Sequence, residues 1–164
     1  MKITKLSAIE KQLDTAIELY FLDKDPISIH TLMWASRTLC MDLSKASNIP
    51  DKFHAKINPE CIKKYESAIR SYQNFLKHAD NDSTAELDFN IRVTESLLYW
   101  TIWQYSDLVG QKITKNMEIY NVYYCLKNPH LLRPEYHNSF IDEESTNLYP
   151  KKYYWDLYSQ SFPA

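Results

Sequence analysis

The sequence predicts an all-α protein: an antiparallel bundle of four to five main helices followed by an irregular aromatic C-terminal arm. Three observations carry that prediction. Apolar residues recur at three- and four-residue spacing along most of the chain. Residues that start helices, such as Asp-Pro, Asn-Pro, serine and threonine, stand ahead of the striped segments. The 164 residues include one glycine, Gly110, whereas the primed hairpin turns of sheet proteins call for residues at positive φ.

Helix 1 is predicted from Ser7 to Leu22. Ser7-Ala8-Ile9-Glu10 has the form of a capping box, and Ile9, Leu13, Ile17 and Tyr20 make one apolar stripe. Helix 2 opens at Asp25-Pro26, where aspartate caps and proline loses no hydrogen bond, and runs to about Lys45. Its inner face is Ile29, Leu32, Met33, Ser36, Leu39, Cys40 and Leu43, and Trp34 and Ala35 widen the apolar arc, so it is expected to be the most buried helix. Asn58-Pro59 repeats the device for helix 3, which carries Ile62, Tyr65, Ile69, Tyr72, Phe75 and Leu76 inward and ends near His78. Helix 4 is predicted from about Asp88–Asn90 to Val109, with Gly110 as a left-handed cap. Helix 5 runs from Thr114 to about Lys127, where Asn128-Pro129 stops it. From Arg133 onward Pro134, Pro150 and Pro163 interrupt the pattern, yet Tyr149, Tyr153, Tyr154, Trp155, Tyr158 and Phe162 are too aromatic for a solvated tail. The division expected is a bundle over 1–132 and an arm over 133–164 that packs on the bundle or on a partner.

Composition limits the function classes. Apolar residues make up 45% and charged residues 24% of the chain, ordinary for one globular domain. A net charge of −2 argues against a molecule built throughout to grip nucleic acid. Cys40, Cys61 and Cys125 form no CxxC pair, so neither a disulfide framework nor a zinc knuckle is expected. The mixed segment after Met1-Lys2-Ile3-Thr4-Lys5 does not read as a secretory signal, and no run approaches the roughly 20 apolar residues of a membrane span. A cytoplasmic protein with no membrane association and no cofactor is expected.

Candidate chemistry follows from topology. Short connections make successive helices antiparallel, so the start of helix 2, the end of helix 3 and the start of helix 4 share one end of the bundle. That end gathers His30, Asn74 and His78 as candidate catalytic residues, since imidazoles move protons near neutral pH. His78, Asp80 and Asp82 form a candidate ligand set for a divalent metal. Lys63, Arg70 and Lys77 give helix 3 a basic edge that could meet RNA, although such faces are usually just solvated. Each also has a plain structural reading: His78 suits a helix C-terminus, His30 a packed interior, and the aspartates a turn.

Two resemblances bear on these residues. The strings Gln12–Tyr20, Asp25–Leu32 and Asn74-Phe75-Leu76-Lys77-His78-Ala79-Asp80 look like a family of uncharacterised bacterial helical proteins. The layout also resembles the HEPN superfamily, in which a helical hairpin precedes a third helix ending in an Arg-x4–6-His motif. That resemblance implies RNA cleavage with the motif residues meeting across a homodimer. The chain departs from it at one place: five residues before His78 stands Gln73, and the nearest arginine, Arg70, is eight residues away. Glutamine supplies no charge to a phosphate, whereas arginine offers a charged fork of donors. The expectation is therefore a HEPN-like domain that binds, to itself, to another protein or to nucleic acid, with an RNase or metal-assisted hydrolase as the alternative.

Overall fold

The computed structural model describes residues 2–50, 59–78, 83–128 and 149–161, and for 59–65, 68 and 161 the backbone alone. These residues form six helices and no strand: α1 (Lys5–Phe21), α2 (Pro26–Ala46), α3 (Pro59–Lys77), α4 (Ile91–Leu108), α5 (Lys115–Lys127) and α6 (Lys151–Ser161).

The helix starts are chemical, and most were readable. Asp25 accepts from the Ile27 and Ser28 amides with Pro26 at the first helical position. Asn90 accepts from the Arg92 amide and Thr114 from the Met117 amide. α1 begins earlier than its pattern suggests, because Thr4 is the cap. Thr4 Oγ1 accepts from the Ser7 amide at 3.0 Å, and the Thr4 amide donates to Ser7 Oγ at 3.0 Å. A serine can serve as either member of a capping box, and here it is the second.

The helix ends explain how one glycine suffices. α1 and α2 each close on one left-handed residue, Asp23 at φ 50° and Asn48 at φ 54°, and α4 on two, Gly110 at φ 63° and Gln111 at φ 70°. Aspartate and asparagine tolerate that region better than other side chains. The returning amides of Lys24, Ile49 and Gln111 then donate to the carbonyls of Leu19, Ser44 and Ser106.

α1, α2, α4 and α5 enclose the main core, with α1 and α4 in contact across it. Direction follows from which ends meet. Tyr20, near the end of α1, and Lys127, closing α5, both reach Glu95 early in α4; Tyr105, late in α4, reaches Glu10 early in α1. α1 and α5 are therefore antiparallel to α4. α2 runs parallel to α4, because α3 carries the chain back between them. The centre is Ile9, Leu13, Ile17, Met33, Leu97, Leu98, Ile102, Met117 and Tyr120, all fully buried. α4, not α2, is the most buried helix: nine of its 18 residues are buried against seven of 21 in α2. α4 lies against α1, α2 and α5, so its nearly all-round apolar middle has neighbours on several sides.

α3 flanks the bundle on α2, and α6 flanks it on α5 and α1. The described part of the C-terminal segment is aromatic as expected, and 151–161 is regular helix. Pro150 starts that helix rather than interrupting it, its carbonyl accepting from the Tyr153 amide at 2.9 Å. Tyr154 is buried, Trp155 lies 5.0 Å from Phe21, and Lys151 pairs with Asp23 at 2.6 Å while covering the Tyr20 ring. Residues 133–148 of the expected arm lie outside the described residues. No described helix is long and apolar enough to cross a membrane.

Candidate functional site

α3 sorts the predicted residues onto two faces. Ile69 and Gln73 are buried and Tyr72, Phe75 and Leu76 half-buried, while Ser67, Arg70, Ser71, Asn74, Lys77 and His78 are exposed. Spacings of three and four residues place the exposed set in one stripe along the helix. Arg70, Asn74 and His78 therefore stand one turn apart in a row, although Arg70 lies outside the motif spacing. Gln73, at the position of the missing arginine, points the other way. Arg70 is 72% exposed and sits 3.8 Å from Glu66, one turn before it. An open groove of about 480 Å³ on this face is lined by Glu66, Ser67, Arg70, Ser71 and Asn74. The side chain of Lys63 lies outside the described residues.

His30 is not on that surface. It is fully buried, with Nδ1 2.8 Å from Thr94 Oγ1. Its ring is packed by Trp34, stacked at 6.2 Å, and by the edges or faces of Tyr72 at 5.8 Å and Phe89 at 5.6 Å. Nε2 finds no hydrogen-bond partner among the described residues. Burial disfavours the imidazolium and pushes the pKa down to about 4. His30 and α3's last turns do share an end of the bundle, as the topology required. They meet through Tyr72, and His78 stays exposed. A neutral imidazole closed in by rings has no route to a substrate proton.

The same end holds a polar network that sequence reading missed. Glu95 is 6% exposed. Its carboxylate accepts from Tyr20 Oη at 2.7 Å and Lys127 Nζ at 3.1 Å, and its backbone carbonyl accepts from Tyr120 Oη at 2.8 Å. Burial, together with the neighbouring carboxylate, raises the Tyr20 and Tyr120 pKa values, so both phenols remain neutral donors. One signal was present in the sequence. Glu95 interrupts the apolar run of α4 on its inner face, and a charge placed there must be paired. At the opposite end Asp14 accepts from Thr114 Oγ1, and desolvation raises its pKa more than that bond lowers it.

Asp80 and Asp82 lie outside the described residues, and among the described residues no three histidine, cysteine or acidic side chains are placed to hold a metal ion. Cys40 and Cys125 are free thiols. Burial pushes the Cys40 pKa up to about 12, which suits a small packing residue and not a nucleophile. Comparison with protein-family models, curated proteins and solved structures gave no match to this chain.

Proposed function

We propose that this chain is a HEPN-like interaction domain that associates with a second copy through the exposed stripe of α3 and does not itself cut RNA. One observation carries the reading: the residues that can make contacts, Arg70, Asn74 and His78, are lined up on that stripe, whereas His30 and Gln73 are buried away from it. The stripe is also suited to pairing with itself. A two-fold interface must be self-complementary. Two α3 helices laid antiparallel, with the axis between Glu66 and Arg70, bring the Glu66 of each copy opposite the Arg70 of the other. Ser67, Ser71 and Asn74 add donors and acceptors to the contact. Free thiols at Cys40 and Cys125 suit a reducing cytoplasm.

Sedimentation of charge variants tests the pairing. Arg70→Glu sets like charges against each other and is expected to weaken association at least tenfold, which corresponds to about 1.4 kcal/mol. Glu66→Arg combined with Arg70→Glu restores opposite charges and is expected to recover it. If the single variant self-associates as well as the wild type, the stripe is not the interface.

The alternative reading is a nuclease, favoured by the exposure of Asn74 and His78 together on one face. It requires that purified protein degrade RNA and that His78→Ala abolish this with an unchanged melting point. Our reading predicts no degradation above that of His78→Ala, with or without divalent metal.

A further inference from the structure

We infer that His30 is a proton-sensitive clasp for α3: protonation of its imidazole releases the helix that carries the Asn74–His78 stripe while α1, α2, α4 and α5 remain assembled. Three features of the structure lead there, and none depends on what the stripe binds.

The first is the closure over the ring. Tyr72 of α3 and Phe89, in the segment before α4, cover His30, and their own rings lie 5.2 Å apart. The Tyr72 hydroxyl donates to the Asp88 carbonyl at 3.3 Å and accepts from the Asn90 amide at 3.1 Å. Tyr72 thus joins three parts at one point: α3, the cap of α4 and the imidazole on α2.

The second is the light attachment of α3. Among the described helices it packs chiefly on α2, and less extensively than α1 or α4 does. A groove of about 260 Å³, lined by Trp34, Met41, Ile69 and Arg70 among others, separates the two helices further along. Among the described residues, the clasp and the buried Ile69 and Gln73 are therefore the main contacts that hold the helix down. Elements with few buried contacts open locally before the whole domain unfolds.

The third is that, among the described residues, nothing is placed to accept the extra N–H of an imidazolium. Trp34 faces the ring from α2, Tyr72 from α3, Phe89 from the preceding segment and Thr94 from α4. Tyr72 is the one titratable group among them, and its hydroxyl is turned to Asp88 and Asn90. Glu95, next after Thr94, is held by Tyr20 and Lys127, and Asp88 is exposed. Nε2 has no partner among the described residues. An imidazolium there would be a buried charge facing rings, so water must be admitted or the ring uncovered. Lifting Tyr72 away is the shortest way to do either.

The sign follows from linkage. The closed state holds the His30 pKa at about 4, below the ordinary 6.5, so the open state binds more protons between those values and opening is favoured as pH falls. With the open-state pKa at its ordinary value, the opening constant is expected to rise about twentyfold from pH 7 to pH 5.

Amide hydrogen exchange of the full chain, corrected for the intrinsic effect of pH, reads this directly. The α3 amides between residues 66 and 77 are expected to be less protected than those of α1 and α4. That protection is expected to fall about twentyfold between pH 7 and pH 5 in the wild type and to stay constant in His30→Gln. Tyr72→Phe is expected to lower α3 protection at both pH values while keeping the pH slope. If His30→Gln does not fold, the His30 ring signal in the wild type decides the matter: it must titrate far below 6.5, while α3 protection already falls as pH drops below 6.5. The inference is overturned if α3 exchanges only with the whole bundle, if its protection is independent of pH, or if the slope survives the loss of His30. Failure of the α3 pairing tests would leave each of these outcomes unchanged.

Discussion

Phe21→Ala is expected to lower the unfolding free energy by about 4 kcal/mol and to loosen α6 on the bundle. Phe21 is fully buried at the end of α1. Its ring lies 5.5 Å from Tyr20, 5.2 Å from Tyr123, 6.2 Å from Tyr120 and 5.0 Å from Trp155. Removing it loses the transfer energy of the ring and leaves a hole lined by three tyrosines and a tryptophan, which are too large to collapse into it. The loss reaches α6 because Trp155 packs on this ring. Tyr154 against Tyr123 and the Lys151–Asp23 pair then hold that helix without it. Denaturant unfolding measures the first effect, and tryptic cleavage after Lys151 and Lys152 the second. Trp155→Ala separates the two: Trp155 is half-buried, so the bundle is expected to lose only about 2 kcal/mol while cleavage rises as much. Equal resistance to trypsin in Phe21→Ala and wild type would mean that α6 is held by something other than this cluster.

The second large effect is expected at Lys127. Replacing it with methionine leaves the Glu95 carboxylate buried with the Tyr20 hydroxyl and no cation. Breaking one side of a buried ion pair is costly because the remaining charge is uncompensated. Lys127 keeps 33% of its side chain in water, which places the expected loss at about 2 kcal/mol, below that of a fully buried pair. Glu95→Gln is expected to cost about 1 kcal/mol, since an amide oxygen can still accept from Tyr20 and the cation left over, Lys127, is one-third exposed to water. The two changes are therefore not additive. Glu95→Gln with Lys127→Met is expected to be more stable than Lys127→Met alone, as chemical denaturation of the four proteins will tell. A double variant weaker than either single one would mean that packing of the lysine stem, not charge, sets the cost.

These sites also show what could be read from the chain and why the rest could not. Local chemistry was legible. Asp25-Pro26, Thr114 and Gly110 each act within a few residues of themselves, so a short string carries the whole cause. A residue type that fits two local roles leaves the string ambiguous. Ser7 is the second member of a capping box as readily as the first, and Pro150 starts a helix as readily as it ends one. The alternating direction of successive helices was legible too, but not every neighbour: long links flank α3, and α4 packs on α2 instead of on α3. Burial of the site was not. His30 reads equally as a proton carrier or as packing, and the difference lies in Tyr72, Phe89 and Thr94, from 42 to 64 residues away. The Tyr20–Glu95 bond spans 75 residues, and only the oddity of a carboxylate on an inner face hints at it. On α3 the sequence carried more than its motif count suggested. Arg70 lies too far from His78 for the Arg-x4–6-His spacing, yet helical periodicity sets it in the same row as Asn74 and His78.

The central claim is that this row is a contact face between two copies. The most direct test attaches a spin label to α3 at Asn74→Cys and, as a control, to the exposed face of α1 at Lys11→Cys, and measures dipolar coupling between molecules. The account predicts a single short inter-molecular distance from position 74 that disappears in Arg70→Glu, with no coupling from position 11. Absence of coupling at 74 under conditions where the protein is a dimer would contradict it, because the second copy would then be meeting a different face.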